Sequence, residues 1–202
     1  MTADAVDPRA YARARTIAEE LRPIVERVPG AWAVEIGAAG VVVMMSLVKR
    51  HEAITTRVVR QLNAQLVGTH PGQEIVAQSG AEVEHPAVGR MRRPDAVVVP
   101  LPVLDEPGAT VDPDDLLAVV EVVSESNPDN DYVEKAADYP AMGIPLYLLV
   151  DPRKGLVYTY ADPVPGSNGP RYASVLPYVF GDRVPFGPWT VDTADFKRYD
   201  DA

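Results

Sequence analysis

Residues 116–124 read LLAVVEVVS, a strand-forming run that is apolar on both alternating faces except at Glu121. Such a run belongs in the middle of a sheet covered on both sides. A carboxylate there is costly, because an unpaired buried charge is expelled or neutralised unless something balances it. The run therefore demands an interior strand and a partner for Glu121. Alternation puts Glu121 on one face with Leu117, Val119 and Val123. A second apolar strand, PDAVVVP at 94–100, opens on Asp95, which shares a face with Val97 and Val99. If the two strands are neighbours, their carboxylates converge. Two ionised acids side by side repel, and hard oxygen ligands of this kind suit Mg²⁺ or Mn²⁺.

The rest of the chain reads as one α/β domain, a central mixed sheet flanked by helices. Residues 8–27 are helical in composition, with Ala10, Ala14, Ile17, Leu21 and Ile24 at helical spacing and Pro23 expected to kink or end the helix. Residues 31–46 read as a hairpin turning near Gly37 to Gly40. Ile54, Val58, Leu62 and Leu66 mark an amphipathic helix. Short strands and turns fill 73–93. After the Glu121 strand, Asn127 and Pro128 give helix-start signals, and Pro140 should break that helix near Tyr139. IPLYLLVD and LVYTYA form two strands joined by PRKG, and at least one further strand lies near 171–176. The expected division is a helical extension, 1–30, packed on a single domain, 31–202.

Asp131, Lys135 and Tyr139 are spaced i, i+4, i+8 and so share a helix face. If that face turns inward, Lys135 brings an ammonium to the carboxylate pair, where it can orient a water or stabilise charge on a phosphate.

Composition narrows the field. With 202 residues and no cysteine, the chain can bury a core but has neither disulfides nor thiolate chemistry. No apolar stretch approaches the roughly 20 residues of a membrane span. The first residues lack a signal-peptide core, so a cytoplasmic location is expected. A net charge of −10 argues against non-specific coating of nucleic acid. Arginines are nonetheless grouped: Lys49 and Arg50 precede Arg57 and Arg60, while Arg90, Arg92 and Arg93 precede Asp95.

The ordered set PDAVVV, LLAVVEVVSES, D-x-x-x-K-x-x-x-Y and GIPLYLLVDP resembles the Uma2 family, also called DUF820, over roughly residues 31–196. The resemblance implies a restriction-endonuclease-like fold of the PD-(D/E)XK superfamily and Mg²⁺- or Mn²⁺-dependent cleavage of DNA. By position it makes Asp95 and Glu121 metal ligands and Lys135 the catalytic lysine. Val123 stands where the parent superfamily has that lysine. Glu35 matches the family's early glutamate, and His51 its histidine at a helix head. Pro140 departs from the family pattern, as do Leu47 and Val48 before the histidine. Nucleases of this fold suggest a homodimer by analogy.

Other readings stay open on the residues alone. Glu121 pairs with Arg92 or Arg93, Lys135 is a surface salt-bridge lysine, Glu35 faces solvent, or His51 is a capping or surface histidine. The rival function is a non-catalytic interaction or regulatory protein that keeps the fold.

Overall fold

The computed structural model describes residues 7–28, 31–45, 48–125, 127–167 and 169–201; Leu47 lies outside them. The first described element is helix α1 (Pro8–Val25), capped by Asp7, whose carboxylate accepts from the Arg9 amide. A hairpin follows, β1 (Ala31–Gly37) and β2 (Gly40–Met45), then the long helix α2 (Lys49–Thr69). Next come β3 (Ile75–Gln78), β4 (Glu82–His85), β5 (Arg90–Arg92) and β6 (Ala96–Pro100). The short helix α3 (Leu101–Leu104) and β7 (Thr110–Val111) lead to β8 (Ala118–Val122), the Glu121 strand. A π-helical segment, Asn130–Lys135, runs into α4 (Ala136–Ala141). The chain then forms β9 (Leu146–Asp151), β10 (Leu156–Val164), β11 (Arg171–Val179), β12 (Arg183–Phe186) and β13 (Trp189–Asp192).

Six strands make the main sheet in the order β11-β10-β9-β8-β6-β3, and five make a second in the order β2-β1-β5-β4-β7. β8 pairs parallel with β9 and antiparallel with β6, so it is interior, as its apolar run requires. On one face of the main sheet, α2 presses Ile54, Val58, Leu62 and Leu66 onto Ala96, Val98, Val120 and Val122. On the other, Val97, Val99, Val119 and Val123 pack with Tyr139, Met142 and Tyr147. Glu121 belongs to this second face. Leu117 does not: it precedes the strand, where alternation no longer applies, and packs against the α2 side.

Three local expectations are corrected. α1 buries Tyr11, Ala18 and Val25 against Val34, Ile36 and Met91, one residue round from the expected stripe, and leaves Ile17 and Ile24 exposed. Pro23 sits inside α1, which continues to Val25. Pro140 lies within α4, which continues to Ala141 rather than breaking near Tyr139. Both prolines fall in the last turn of their helices, where each removes one N–H···O=C bond but no further turn has to be built on the distortion.

No helix among the described residues is long and apolar enough to cross a membrane.

Candidate active site

The antiparallel register that pairs Ala96 with Val120 sets Asp95, one residue earlier, opposite Glu121. Asp95 is fixed from two directions. Its Oδ2 accepts from the Val122 amide at 2.7 Å and from His51 Nε2 at 3.0 Å. The first turn of α2 thus delivers His51 into the structure, 2% exposed, where the surface or capping reading does not hold. Burial lowers the imidazole pKa, but the Asp95 hydrogen bond and charge outweigh it, and the net shift is upward. His51 Nδ1 is buried without a partner among the described residues.

Glu121 meets Lys135 at 2.9 Å and accepts from the Tyr139 hydroxyl on the same oxygen. Lys135 Nζ also lies 3.3 Å from Asp131 Oδ1 and 3.6 Å from Glu35 Oε1. The face read from the i, i+4, i+8 spacing does turn inward, although its first half winds as a π-helix. Such segments are frequent at functional sites. Glu35 comes from the second sheet, where β1 pairs Ile36 with Met91 of β5 and so sets Glu35 beside Arg92. Its Oε2 accepts from Arg92 Nη1 at 3.0 Å, and its Oε1 from the Arg93 amide at 3.0 Å. Glu35, His51, Asp95, Glu121 and Lys135, drawn from both sheets and two helical segments, therefore form one continuous cluster.

Burial pushes the Glu121 carboxyl well above the usual range, and Asp95, Asp131 and Glu35 push it further against the pull of Lys135. Asp131 is raised to about 6, again chiefly by burial. Burial alone would discharge Lys135, yet the surrounding carboxylates hold its pKa well above normal. Lys135 is thus shared by three carboxylates, one of which, Glu35, is also held by Arg92.

The donor chemistry fits a hard divalent ion. Among the described residues no hydrogen bond occupies Oδ1 of Asp95 or Oε2 of Glu121. No set of three His, Asp or Glu side chains among them forms a ready-made cage. Mg²⁺ is commonly bound by one or two carboxylates, with water and substrate phosphate completing its shell.

Arg92 is not a surface cation. It is fully buried, and besides Glu35 it binds Asp138 through Nε at 2.9 Å and Asn130 Oδ1 at 3.2 Å. Gly37 makes room for it: a Cβ there would lie 2.6 Å from Nη2. Arg90 is likewise held by Asp138. Of the arginines grouped ahead of Asp95, Arg90 and Arg92 therefore knit β5 to α4. The alternative pairing of Glu121 with an arginine fails, because Lys135 and Tyr139 fill that role.

The sequence reading gives Asp138 no role and Tyr139 only a place on the Lys135 face. The periodicity already put Asp131 and Tyr139 on the Lys135 face, so their spacing was the available signal. Nothing in the sequence marked Asp138.

Mixed sheets flanked by helices, with buried acids on adjoining strands and a lysine brought to them by the helical segment after β8, define an α/β protein with a carboxylate–lysine centre. The model of the Uma2 family, described as "Putative restriction endonuclease", matches residues 19–185, and the chain belongs to that family. Among solved structures, it is similar to a protein from Anabaena variabilis ATCC 29413 described as a putative nuclease belonging to DUF820. That likeness has a TM-score of 0.57 and 14% identity, covering 76% of this chain and 80% of the other. No curated protein matches.

Proposed function

We propose that the chain is a metal-dependent endonuclease that hydrolyses DNA phosphodiester bonds at the Asp95–Glu121–Lys135 cluster. The observation that carries this reading is the meeting of Glu121, Asp131 and Glu35 on the buried ammonium of Lys135, with Asp95 opposite Glu121. Family membership supports the same reading, with DNA as the expected substrate and Mg²⁺ or Mn²⁺ as the ion. Asp95 and Glu121 are the two residues that would hold it. A divalent ion bound there supplies charge to the phosphate and lowers the pKa of a bound water.

The protein's own groups divide the remaining work. The Lys135 ammonium stabilises negative charge gathering on the phosphate oxygens. Tyr139 and Asp131 fix the Glu121 carboxylate and the lysine against each other. Glu35, pinned by Arg92 and the Arg93 amide, orients the attacking water. His51 carries a proton at Nδ1 for the departing oxygen, steadied through Nε2 by Asp95. Two copies about a twofold axis would let one protomer cut each strand.

The test is plasmid nicking with Mg²⁺ or Mn²⁺ by the purified chain beside Glu121→Gln and Lys135→Met. Activity should fall by about 10²-fold or more in both, as for removal of a group acting in the transition state. Equal nicking by all three would sink the reading. Calorimetric titration with Mn²⁺ separates it from a non-catalytic role: absence of binding at millimolar metal favours the latter.

A further inference from the structure

Beyond the family match, which ends at residue 185, the chain continues through β13 and Phe196 into a segment that passes between Arg50, the neighbour of His51, and Val123, two residues after Glu121. Phe196 is buried in the core beside α2. From there the chain passes the β9–β10 turn, where the Tyr199 amide donates to Pro152 O at 3.2 Å and Arg198 Nη2 to Lys154 O at 2.6 Å. The Tyr199 hydroxyl donates to Val123 O at 2.8 Å, two residues beyond Glu121. On the far side Arg50, the neighbour of His51, clasps the segment by its backbone: Nη1 donates to the carbonyls of Arg198 and Tyr199, and Nη2 to that of Asp201. Tyr199 lies close enough to the site that Asp95 and Asp131, after burial itself, help to raise its pKa.

Glu35, His51, Asp95, Glu121, Asp131 and Lys135 are at most 6% exposed. No phosphodiester reaches them in this arrangement, so a cover has to move. α2, α4 and the strands around the site are tied into the apolar clusters. The segment after Phe196 is held by hydrogen bonds to backbone carbonyls, with Lys197, Arg198, Asp200 and Asp201 exposed. Elements with few buried apolar contacts and exposed hydrogen bonds open at the least cost.

We propose that residues 197–201 are a strap that closes the carboxylate–lysine site, with Arg50 as its clasp, and that its release controls access of the substrate. The claim that access limits catalysis rests on the nuclease reading; the closure itself does not.

Three chains test it: the full chain, Arg50→Ala, and a chain ending at Phe196. Two readouts are taken. One is modification of His51 by diethyl pyrocarbonate, mapped by mass spectrometry, with His70 and His85 as internal references. The other is Mn²⁺-dependent hydrolysis of bis(p-nitrophenyl) phosphate. His51 should react roughly tenfold faster in both altered chains, with the reference histidines within about twofold, as expected when a local closed state is lost. Hydrolysis should rise several-fold in parallel. His51 equally protected in all three chains overturns the strap. Faster labelling with no hydrolysis by any chain keeps the strap and removes the nuclease reading. Faster labelling with equal hydrolysis by all overturns access control. If the shortened chain has no cooperative melt, Arg50→Ala alone decides.

Discussion

Lys135 holds Glu35, Glu121 and Asp131 together by being charged where burial alone would discharge it. Removing one partner of a buried ion pair typically costs about 3–5 kcal/mol, because it strands the other charge. Lys135→Met should therefore lower the melting temperature as well as activity, and a calorimetric scan reads the loss directly. A variant as stable as the parent would mean that the acids around it are already protonated. Asp131 offers the matching pH test. Its carboxyl is raised from 3.8 to about 6. Between those values the unfolded chain gives up a proton that the folded chain retains, so this group makes stability fall as pH rises. Above about 6 both states are ionised and the slope vanishes. In Asp131→Asn the contribution is absent, so the melting temperature of the variant relative to the parent should climb from pH 4 to pH 6 and then level. A difference that stays flat, or falls, would show that Asp131 is ionised throughout. These groups were partly legible. Asp95, Glu121 and Lys135 stood out because charge within, or at helical spacing beside, an apolar strand is expensive. Arg92 and Asp138 did not, because a buried arginine looks in sequence like any solvated one.

α2 shows how an element does more than cover a sheet. Its apolar face was readable from the four-residue spacing of Ile54, Val58, Leu62 and Leu66, and all four are buried. Its amides were not read at all. Asn63 exchanges two hydrogen bonds with Ala77 on the edge strand β3, at 2.8 and 2.9 Å. Gln65 does the same with Thr190 at 2.8 and 2.9 Å, and Gln61 with Asp192 at 2.9 and 2.6 Å. Each side-chain amide mimics a neighbouring strand, so α2 saturates two exposed edges that would otherwise invite pairing with another chain. Replacing Gln61 and Gln65 together by Ala should cost about 2–6 kcal/mol, since four bonds are lost and each net bond is worth roughly 0.5–1.5 kcal/mol. Light scattering on the double variant should show association through β13, and a chain that stays as dispersed as the parent would deny the edge role. The pairing of β12 with β13 was invisible in advance because RVPF and WTVD are short and interrupted by proline and glycine signals. The π-winding of Asn130–Lys135 was hidden for a different reason: α and π turns both bring residues four apart onto neighbouring positions.

At the scale of the whole molecule, the site stands where two sheets meet, and the second sheet contributes Glu35 through β1. β1 is itself sandwiched. Its Val34 and Ile36 face α1, and Glu35 between them faces Arg92 and Lys135. α1 is bound to this sheet by more than apolar contact. Arg22 grips Glu82 with both terminal nitrogens at 2.7 and 2.6 Å, while Tyr11 and Arg15 meet on Glu84 at 2.6 and 2.9 Å. The choice of Tyr11, Ala18 and Val25 as the inward stripe follows from these partners: only that rotation brings the tyrosine hydroxyl and both guanidiniums over the β4 acids. Sequence periodicity offered a competing stripe through Ile17 and Ile24 and had no view of β4. A chain lacking residues 1–28 would expose Val34, Ile36 and Met91, each worth roughly 1.5–3 kcal/mol when fully buried. It would also leave Glu82 and Glu84 without the cations and hydroxyl that α1 brings. Its melting temperature should fall far below that of Arg22→Ala, which removes the ion pairs with Glu82 and Glu19 and keeps the apolar contact. If the helix were a detachable extension, the shortened chain would melt within a few degrees of the parent, and Glu35 would owe nothing to α1. A large drop, with weaker Mn²⁺ binding by the shortened chain, is the outcome expected if β1 holds its place at the site only while covered on its other side.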